Sequence, residues 1–306
     1  MCGIVCTFPG DLNLTVSMLE ILEEYVGGRN AFRFFGSMGG SGTGLMALSN
    51  GKLSCVRSNS FAGDVSRKAK NVGWRGGEIL VGHTRFSDII MPIENRFVHP
   101  YSDCRNLFFV VHNGAISKYE EYYGKLLSKG HEFKTEDQGR IVDSEVIPHL
   151  LEDRLRDKEI GIESVLTTGK SILKELGRID IEEGLGIFVA LIEGLNAALI
   201  VNHIHSWGNT LKFWWNRDTL VISTYNVLPH RQIILEPPPY GGTDLQEMNE
   251  RIDDLMRNRG FDEVGYAKRK VVFVVTSEAK IISLYQEKPK EERIDESNLI
   301  ASSIKL

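Results

Sequence analysis

The chain is short of positive charge, of cysteine and of long apolar runs, and each shortage removes a class of function. Lys and Arg number 36 against 41 Asp and Glu, a net charge of −5 over 306 residues, with no basic stripe interleaved with aromatics. That speaks against nucleic acid or an anionic membrane as partner. No basic segment followed by a long apolar run opens the sequence. No signal peptide is therefore expected, and the protein is expected to be cytoplasmic. The most apolar stretch, 185–201, is broken by Glu193-Gly194-Leu195-Asn196, which reads as a turn between two strands and not as a membrane span. The four cysteines, Cys2, Cys6, Cys55 and Cys104, are expected to be reduced. Cys2 and Cys6 would share a strand face, but zinc-type spacing and a second cysteine pair are missing. His203-x-His205 would also share a face, with no third ligand in view. No metal and no cofactor are expected. Glycines 36, 39, 40, 42 and 44 lack the Lys-Ser/Thr of a phosphate loop and fit no dinucleotide register, so they read as turns.

What is present is alternation. Residues 2–8 form a short apolar run closed by Pro9-Gly10 and read as a strand. Helical spacing follows over 13–27, with Thr15 the expected N-cap and Gly27-Gly28 the stop. Runs 45–48 and 53–57 flank Ser49-Asn50-Gly51-Lys52, a hairpin with Asn-Gly in its turn. Strands are expected over 78–83 and 107–111, each running into a polar cluster. Helices are expected over 118–129, 144–156 and 162–176. Pro148 in the second of these implies a kink or a later start. Strands over 187–192, 197–203, 210–215, 219–224 and 231–235 come next, then Pro237-Pro238-Pro239, a helix over 245–257, and a closing hairpin of 271–276 with 281–286. From 287 the chain is charged and reads as a loose tail. Strands, then helices, then strands give an α+β layered fold. One domain over 1–286 is expected, with 287–306 as the tail.

Met1-Cys2-Gly3-Ile4-Val5 carries a latent chemistry. Initiator methionine is readily trimmed before a small residue. Trimming here would put a thiol and a free α-amine on one Cα, a nucleophile with its own base attached. An α-amine titrates near ~8, close to working pH. Taken alone, a cysteine at this position reads as a small apolar residue opening a buried strand. Arg85 alone reads as a surface arginine, Asn113-Gly114 as a hairpin turn, and Asp143 as a helix N-cap.

Together and in order, Cys2-Gly3-Ile4-Val5, Gly82-His83-Thr84-Arg85, Val98-His99-Pro100, Val111-His112-Asn113-Gly114, Gly130-His131-Glu132-Phe133 and Val142-Asp143-Ser144-Glu145-Val146-Ile147 resemble the class II glutamine amidotransferase domain. The match covers roughly the first half of the chain. It implies the N-terminal-nucleophile hydrolase fold, a four-layer α/β/β/α sandwich of two antiparallel sheets. It implies glutamine as substrate and a thioester on Cys2. The Asn113 side chain and the Gly114 N–H would be the oxyanion donors, a role that suits preorganised N–H groups. Arg85 would take the α-carboxylate and Asp143 the α-ammonium, with Phe86, Asp88 and His112 also lining the substrate site. Arg85-Phe86-Ser87 and the stretch from Glu94-Asn95 to His99-Pro100-Tyr101 lean towards stand-alone, glutamate-synthase-like subunits.

The sequence departs from that pattern in three places. Asp88 stands where many members have threonine, and a second carboxylate there would repel the substrate's carboxylate unless it is paired or turned away. Phe86 replaces the tryptophan of the glucosamine-6-phosphate synthase branch. Gln138-Gly139-Arg140-Ile141 separates Thr135-Glu136-Asp137 from Val142-Asp143, where many relatives have threonine directly before the aspartate. Asp137 or Asp143 could meet the ammonium. Asp143 is preferred because Ser144-Glu145-Val146-Ile147 continues in register. No synthase motif is visible, so the expected function is a glutaminase subunit feeding ammonia to a separate synthase. The alternatives are a partner-independent amidase acting on another γ-glutamyl amide and a degenerate regulatory subunit.

Overall fold

The computed structural model describes residues 2–26, 42–85, 94–176, 185–203, 209–226, 242–267 and 270–286. The expected strand at 231–235, the Pro237–239 run, the tail from 287, and Phe86 and Asp88 lie outside these residues. So does the glycine-rich stretch apart from Gly42 and Gly44.

The first strand, β1 (Gly3–Phe8), shows how the layers arise. Ile4, Cys6 and Phe8 point to one side and join a core shared with Val111, Val189 and Ile200. Val5 points to the other, against Leu14, Met18 and Leu22 of helix α1 (Leu12–Val26). This is the period-2 alternation of a strand buried on both faces. A fully buried aliphatic or aromatic side chain contributes ~1.5–3 kcal/mol, so such a strand is held from both sides.

Around it, β3 (Thr43–Ser49), β4 (Lys52–Ser58), β6 (Ile79–Thr84), β11 (Asn209–Asn216), β12 (Thr219–Asn226) and β13 (Asp262–Tyr266) complete a seven-stranded sheet in the order β13-β11-β12-β1-β6-β3-β4. β7 (Tyr101–Ser102), β8 (Phe108–Asn113), β9 (Ile187–Ile192), β10 (Leu195–Asn202), β14 (Val271–Thr276) and β15 (Ile281–Gln286) form a six-stranded sheet in the order β15-β14-β10-β9-β8-β7. All these pairings are antiparallel. A two-residue ribbon, β2 (Gly10–Asp11) with β5 (Gly76–Gly77), lies beside them. Helix α1, helix α2 (Ala62–Asn71) and helix α6 (Gly242–Asn258) cover the outer face of the larger sheet. Helix α3 (Tyr119–Ser128), helix α4 (Val146–Leu155) and helix α5 (Ile162–Leu176) cover the smaller one. The expected four-layer α/β/β/α sandwich is what forms. No helix among the described residues is long and apolar enough to cross a membrane.

One local reading is corrected and two elements were missed. The N-cap of α1 is Asp11, whose Oδ1 accepts the Leu14 N–H at 2.9 Å. Thr15 is buried and meets Thr7 Oγ1 at 3.1 Å. Helix α2 and strand β13 were not legible in the sequence. The hydrophobic side of α2 is carried largely by Ala62, Val65 and Ala69, too small to register as a periodic stripe. The four strands from 187 to 226 do not run consecutively in one sheet, since β9 and β10 belong to the smaller sheet and β11 and β12 to the larger. By contrast, Asn50 and Gly51 both take positive φ, 51° and 70°, as the hairpin requires. Helix α4 starts late, so that Pro148 sits in its first turn, where its missing N–H costs nothing.

Glu23 is a buried carboxyl between α1, β3 and α2. It accepts from Thr43 Oγ1 and, at 2.7 Å, from the Ala62 N–H. Burial pushes its pKa up to about 7, and Glu20 and Asp64 add to the rise. The folded state then binds a proton that the unfolded chain has already lost between about pH 4.5 and 7, so stability falls as pH rises through that window. Glu23→Gln is expected to flatten this fall, by up to ~3 kcal/mol, in chemical denaturation measured from pH 5 to 8. An unchanged slope would show that Glu23 titrates normally.

Candidate functional site

The ends of three strands meet at one edge of the sandwich. β1 begins there, β6 ends in Thr84 with Arg85 next, and β8 ends in Asn113 with Gly114 next. Gly3 pairs with Thr84, so one step further along the same register sets Cys2 beside Arg85. Alternation supplies the rest. Cys2 shares the parity of Ile4 and Cys6, and Asn113 that of Val111, and those partners face the space between the sheets. The contact follows: the backbone nitrogen of Cys2 donates to Asn113 Oδ1 at 3.3 Å. The amide that accepts there keeps its two N–H donors for another group.

Gly114 is required by crowding. A Cβ would lie 2.7 Å from the Leu185 carbonyl oxygen and 2.9 Å from His112 Nε2. Gly186, at φ 63°, faces it from just before β9, and a Cβ there would stand 2.1 Å from the Asn113 carbonyl oxygen. Asn113-Gly114 is therefore a strand end backed by a second glycine, not the turn of a hairpin.

Arg85 is 5% exposed. Its backbone N–H donates to the Gly42 carbonyl at 2.8 Å, while Nη1 is buried without a hydrogen-bond partner. His83 Nδ1, Thr84 Oγ1 and both ring nitrogens of His99 share that condition. His99 packs between His83 and Tyr101, with ring centroids at 4.0 and 4.3 Å. Unpartnered buried polar groups are costly and rare, and a run of them beside a buried guanidinium marks a place where a polar ligand or water belongs. Burial, above all, drives the His83 pKa down to about 3 and that of His99 well below the ordinary imidazole value, with Arg85 adding to both. His83 is held by its Nε2, which donates to the His112 carbonyl at 3.1 Å.

His112 has the opposite parity to Asn113 and faces the helices. Its Nε2 lies 2.6 Å from the Leu185 carbonyl and its Nδ1 2.8 Å from Ser144 Oγ. The carbonyl can only accept, so Nε2 carries the proton and Nδ1 accepts from Ser144. Both nitrogens are thus engaged by protein groups. Burial lowers the pKa of this ring, against a smaller opposing pull from Asp143.

The two candidate aspartates occupy different surroundings. Asp143 is half-buried in a 3-10 turn, Asp143–Glu145. Its Oδ2 accepts from the Ile116 N–H at 2.7 Å, and its Oδ1 stands 3.2 Å from Ser144 Oγ, whose single proton goes to His112. It does not cap the helix. Asp137 lies in an exposed hairpin, exchanging backbone hydrogen bonds with Arg140 at 2.8 and 2.9 Å and ion-paired to Arg96 at 3.6 Å. Gln138 and Gly139 supply the positive φ angles of that turn. The excursion closes on itself: Thr135 Oγ1 accepts the Val142 N–H at 2.9 Å. A threonine thus stands beside the residue before Asp143, although six residues separate it from Val142 in the chain. Thr135 and Glu145 were not singled out in the sequence as supports, yet Glu145 takes the Thr135 hydroxyl at 2.5 Å and the backbone N–H groups of Lys134 and Thr135 at 2.7 and 3.0 Å.

A groove of about 800 Å³ between α1 and α2, lined by Glu20, Glu23, Asp64 and Arg67, belongs to the outer helical layer and includes none of these residues. Among the described residues, one set of side chains has the donors to hold a metal: Cys104, His131, His149 and Glu152.

No protein-family model matches the chain. Curated relatives do. The chain is 44% identical over 79 residues to the glutamine–fructose-6-phosphate aminotransferase (isomerizing) of Methanocaldococcus jannaschii, covering 26% of this chain and 7% of that protein. It is 34% identical over 158 residues to the enzyme of the same name from Sulfolobus acidocaldarius, covering 51% and 24%. With that of Methanococcus maripaludis it shares 31% over 177 residues, covering 58% and 26%. The chain thus spans about a quarter or less of the length of these relatives. Among solved structures, the glutamine phosphoribosylpyrophosphate amidotransferase of B. subtilis superposes with a TM-score of 0.62 at 15% identity, over 92% of this chain and 49% of that one. An allosteric regulatory enzyme of purine biosynthesis gives 0.63, also at 15% identity, over 92% and 48%. At such identities the superpositions speak for the fold. With the ordered motifs of that domain in its sequence, a four-layer sandwich as its fold and glutamine–fructose-6-phosphate aminotransferases among its sequence relatives, the chain carries a class II glutamine amidotransferase domain.

Proposed function

We propose that the chain hydrolyses the side-chain amide of glutamine, with Cys2 as nucleophile once Met1 is removed. The carrying observation is the Cys2 nitrogen held 3.3 Å from Asn113 Oδ1 beside a buried arginine with an unpartnered Nη1. On this reading the Cys2 thiol adds to the amide carbon, and its proton passes to the α-amine. The oxyanion takes the Asn113 Nδ2 and Gly114 N–H groups. The amine returns the proton to the departing ammonia, leaving a γ-glutamyl thioester. Water, deprotonated by the same amine, hydrolyses it to glutamate and restores the thiol.

Arg85 binds the α-carboxylate and Asp143 the α-ammonium, and Phe86 and Asp88, which follow Arg85 in the sequence, are proposed to contribute to substrate binding. His112 is proposed as a positioning residue, because its nitrogens are spent on Leu185 and Ser144. It fixes the strand end that carries Asn113 and the turn that carries Asp143. The ammonia is proposed to pass to a separate synthase subunit. The glutamate-synthase leaning of Arg85-Phe86-Ser87 belongs to the same proposal.

Glutamate release from glutamine, together with the intact mass, tests this reading. Mature protein lacking Met1 should be active, and Cys2→Ala should abolish release. Activity that survives Cys2→Ala, or turnover confined to other γ-glutamyl amides, would sink it. Asn113→Ala should lower kcat by ~10²–10³. Arg85→Lys, which loses the bidentate fork, should act chiefly on KM, by ~10-fold or more. With His83, His99 and His112 all held neutral, the acidic limb of kcat/KM should follow an amine near ~8 rather than an imidazole near ~6.5, activity rising with pH. A limb that shifts on His99→Gln would assign the base to the wrong group.

A further inference from the structure

The Cys104, His131, His149 and Glu152 side chains come from three separate segments. Cys104 follows β7, His131 follows α3, and His149 and Glu152 lie three apart on α4, where that spacing puts them on one face. Their donor atoms all lie within 4.8 Å of one another. Cys104 Sγ is 3.7 Å from His131 Nδ1 and 3.6 Å from His149 Nδ1. The two Nδ1 atoms are 3.3 Å apart. Glu152 Oε2 is 3.1 Å from His131 Nδ1 and 3.8 Å from His149 Nδ1. Tetrahedral zinc with bonds of ~2.0–2.3 Å separates its ligand atoms by about 3.3–3.7 Å. The three edges among Cys104, His131 and His149 fall in that range, and the two from Glu152 to the imidazoles, 3.1 and 3.8 Å, lie just outside it. We infer that Cys104, His131, His149 and Glu152 form a binding site for one divalent zinc-type cation.

The surroundings fit. The Glu132 N–H lies 3.3 Å from Cys104 Sγ, a contact that favours a thiolate. Arg105 Nε, at 3.0 Å, holds the outer Glu152 oxygen, and the Cys104 N–H donates to Oε2 at 3.2 Å, fixing the carboxylate's aim. The imidazoles are fully buried, while Cys104 reaches solvent, so an ion has a way in. His131 Nε2 has Asp153 Oδ1 at 3.9 Å, beyond hydrogen-bond reach. Arg156 Nη2, at 3.3 Å from the same nitrogen, must turn aside from an N–H there.

A metal-free arrangement exists for part of the cluster: His131 Nδ1–H donating to Glu152, and Arg156 donating to Nε2. It accounts for that one pair. A Cys104 S–H donating to His149 Nδ1 at 3.6 Å extends it to the other pair; the cation differs in drawing all four donor atoms to one point. Binding the ion releases the Cys104 thiol proton to solvent. Two anionic ligands and two neutral imidazoles then balance the ion's charge. Four protein ligands close a tetrahedral shell and make the site structural. The ion would tie α4 to the loop that runs through Thr135 towards Asp143. Cysteine spacing gave no hint of this, and it reverses the expectation that no metal is bound.

The test is independent of glutaminase activity. Protein purified without chelator is expected to carry about one zinc per chain. After chelation, Co²⁺ should give tetrahedral ligand-field bands with a thiolate charge-transfer band. Cys104→Ser should remove the charge-transfer band and weaken Co²⁺ by ~10-fold or more, and His149→Gln should take the stoichiometry towards zero. Wild-type protein that holds no stoichiometric metal and gives no tetrahedral Co²⁺ spectrum overturns the site, whether or not the variants fold.

Discussion

The contact between the Cys2 backbone nitrogen and Asn113 Oδ1 joins the two sheets at the edge where the chemistry is proposed. It exists only because β1 and β8 end at the same level on facing sheets, with Cys2 and Asn113 on the inward parity of each. A strand slipped by one residue would turn every side chain to the other face. Cys2 would then point at α1, and Asn113 would change places with His112. Both strands are locked against that slip, since Ile4 and Val5 are buried on opposite faces of β1, and so are Val110 and Val111 of β8. The rigidity of the site is therefore a property of the sandwich and not of local hydrogen bonds alone.

Around that contact the chain sorts polar groups into two kinds. His112, Ser144, Thr135 and Glu145 spend their hydrogen bonds on the protein, and they hold the strand end and the 143–145 turn in place. Arg85, Thr84, His83 and His99 keep buried polar atoms without partners. The first kind is scaffold. The second is what an amino-acid substrate with an α-carboxylate would be expected to complete, and Arg85 has the bidentate geometry for it.

Much of this was legible in the sequence, because order along the chain survives where geometry does not. The succession of Cys2, Arg85, Asn113, Gly114 and Asp143 pointed to one site, and the structure sets Cys2 against Asn113 and next to Arg85 in register. The hairpin at Asn50-Gly51 could be read from turn chemistry. Four things could not. Helix α2 hides because alanine carries its buried face. The insertion before Asp143 looked like a disruption, but a two-residue turn at Gln138-Gly139 removes it and returns Thr135 to Val142. The role of His112 depends on strand parity, which a histidine next to an asparagine does not announce. The Cys104 cluster was invisible for the same reason that sequence spacing finds zinc fingers: it works only when ligands come close together in the chain.

The central claim is that Cys2 forms a covalent bond to the substrate. Acid-quenched turnover of glutamine by the mature protein, followed by peptide mass analysis, tests it most directly. The account predicts one γ-glutamyl group on the N-terminal Cys2 peptide, lost on longer incubation and missing in Cys2→Ala. Glutamate formed with no adduct, or an adduct on Cys55 or Cys104 instead, would contradict it.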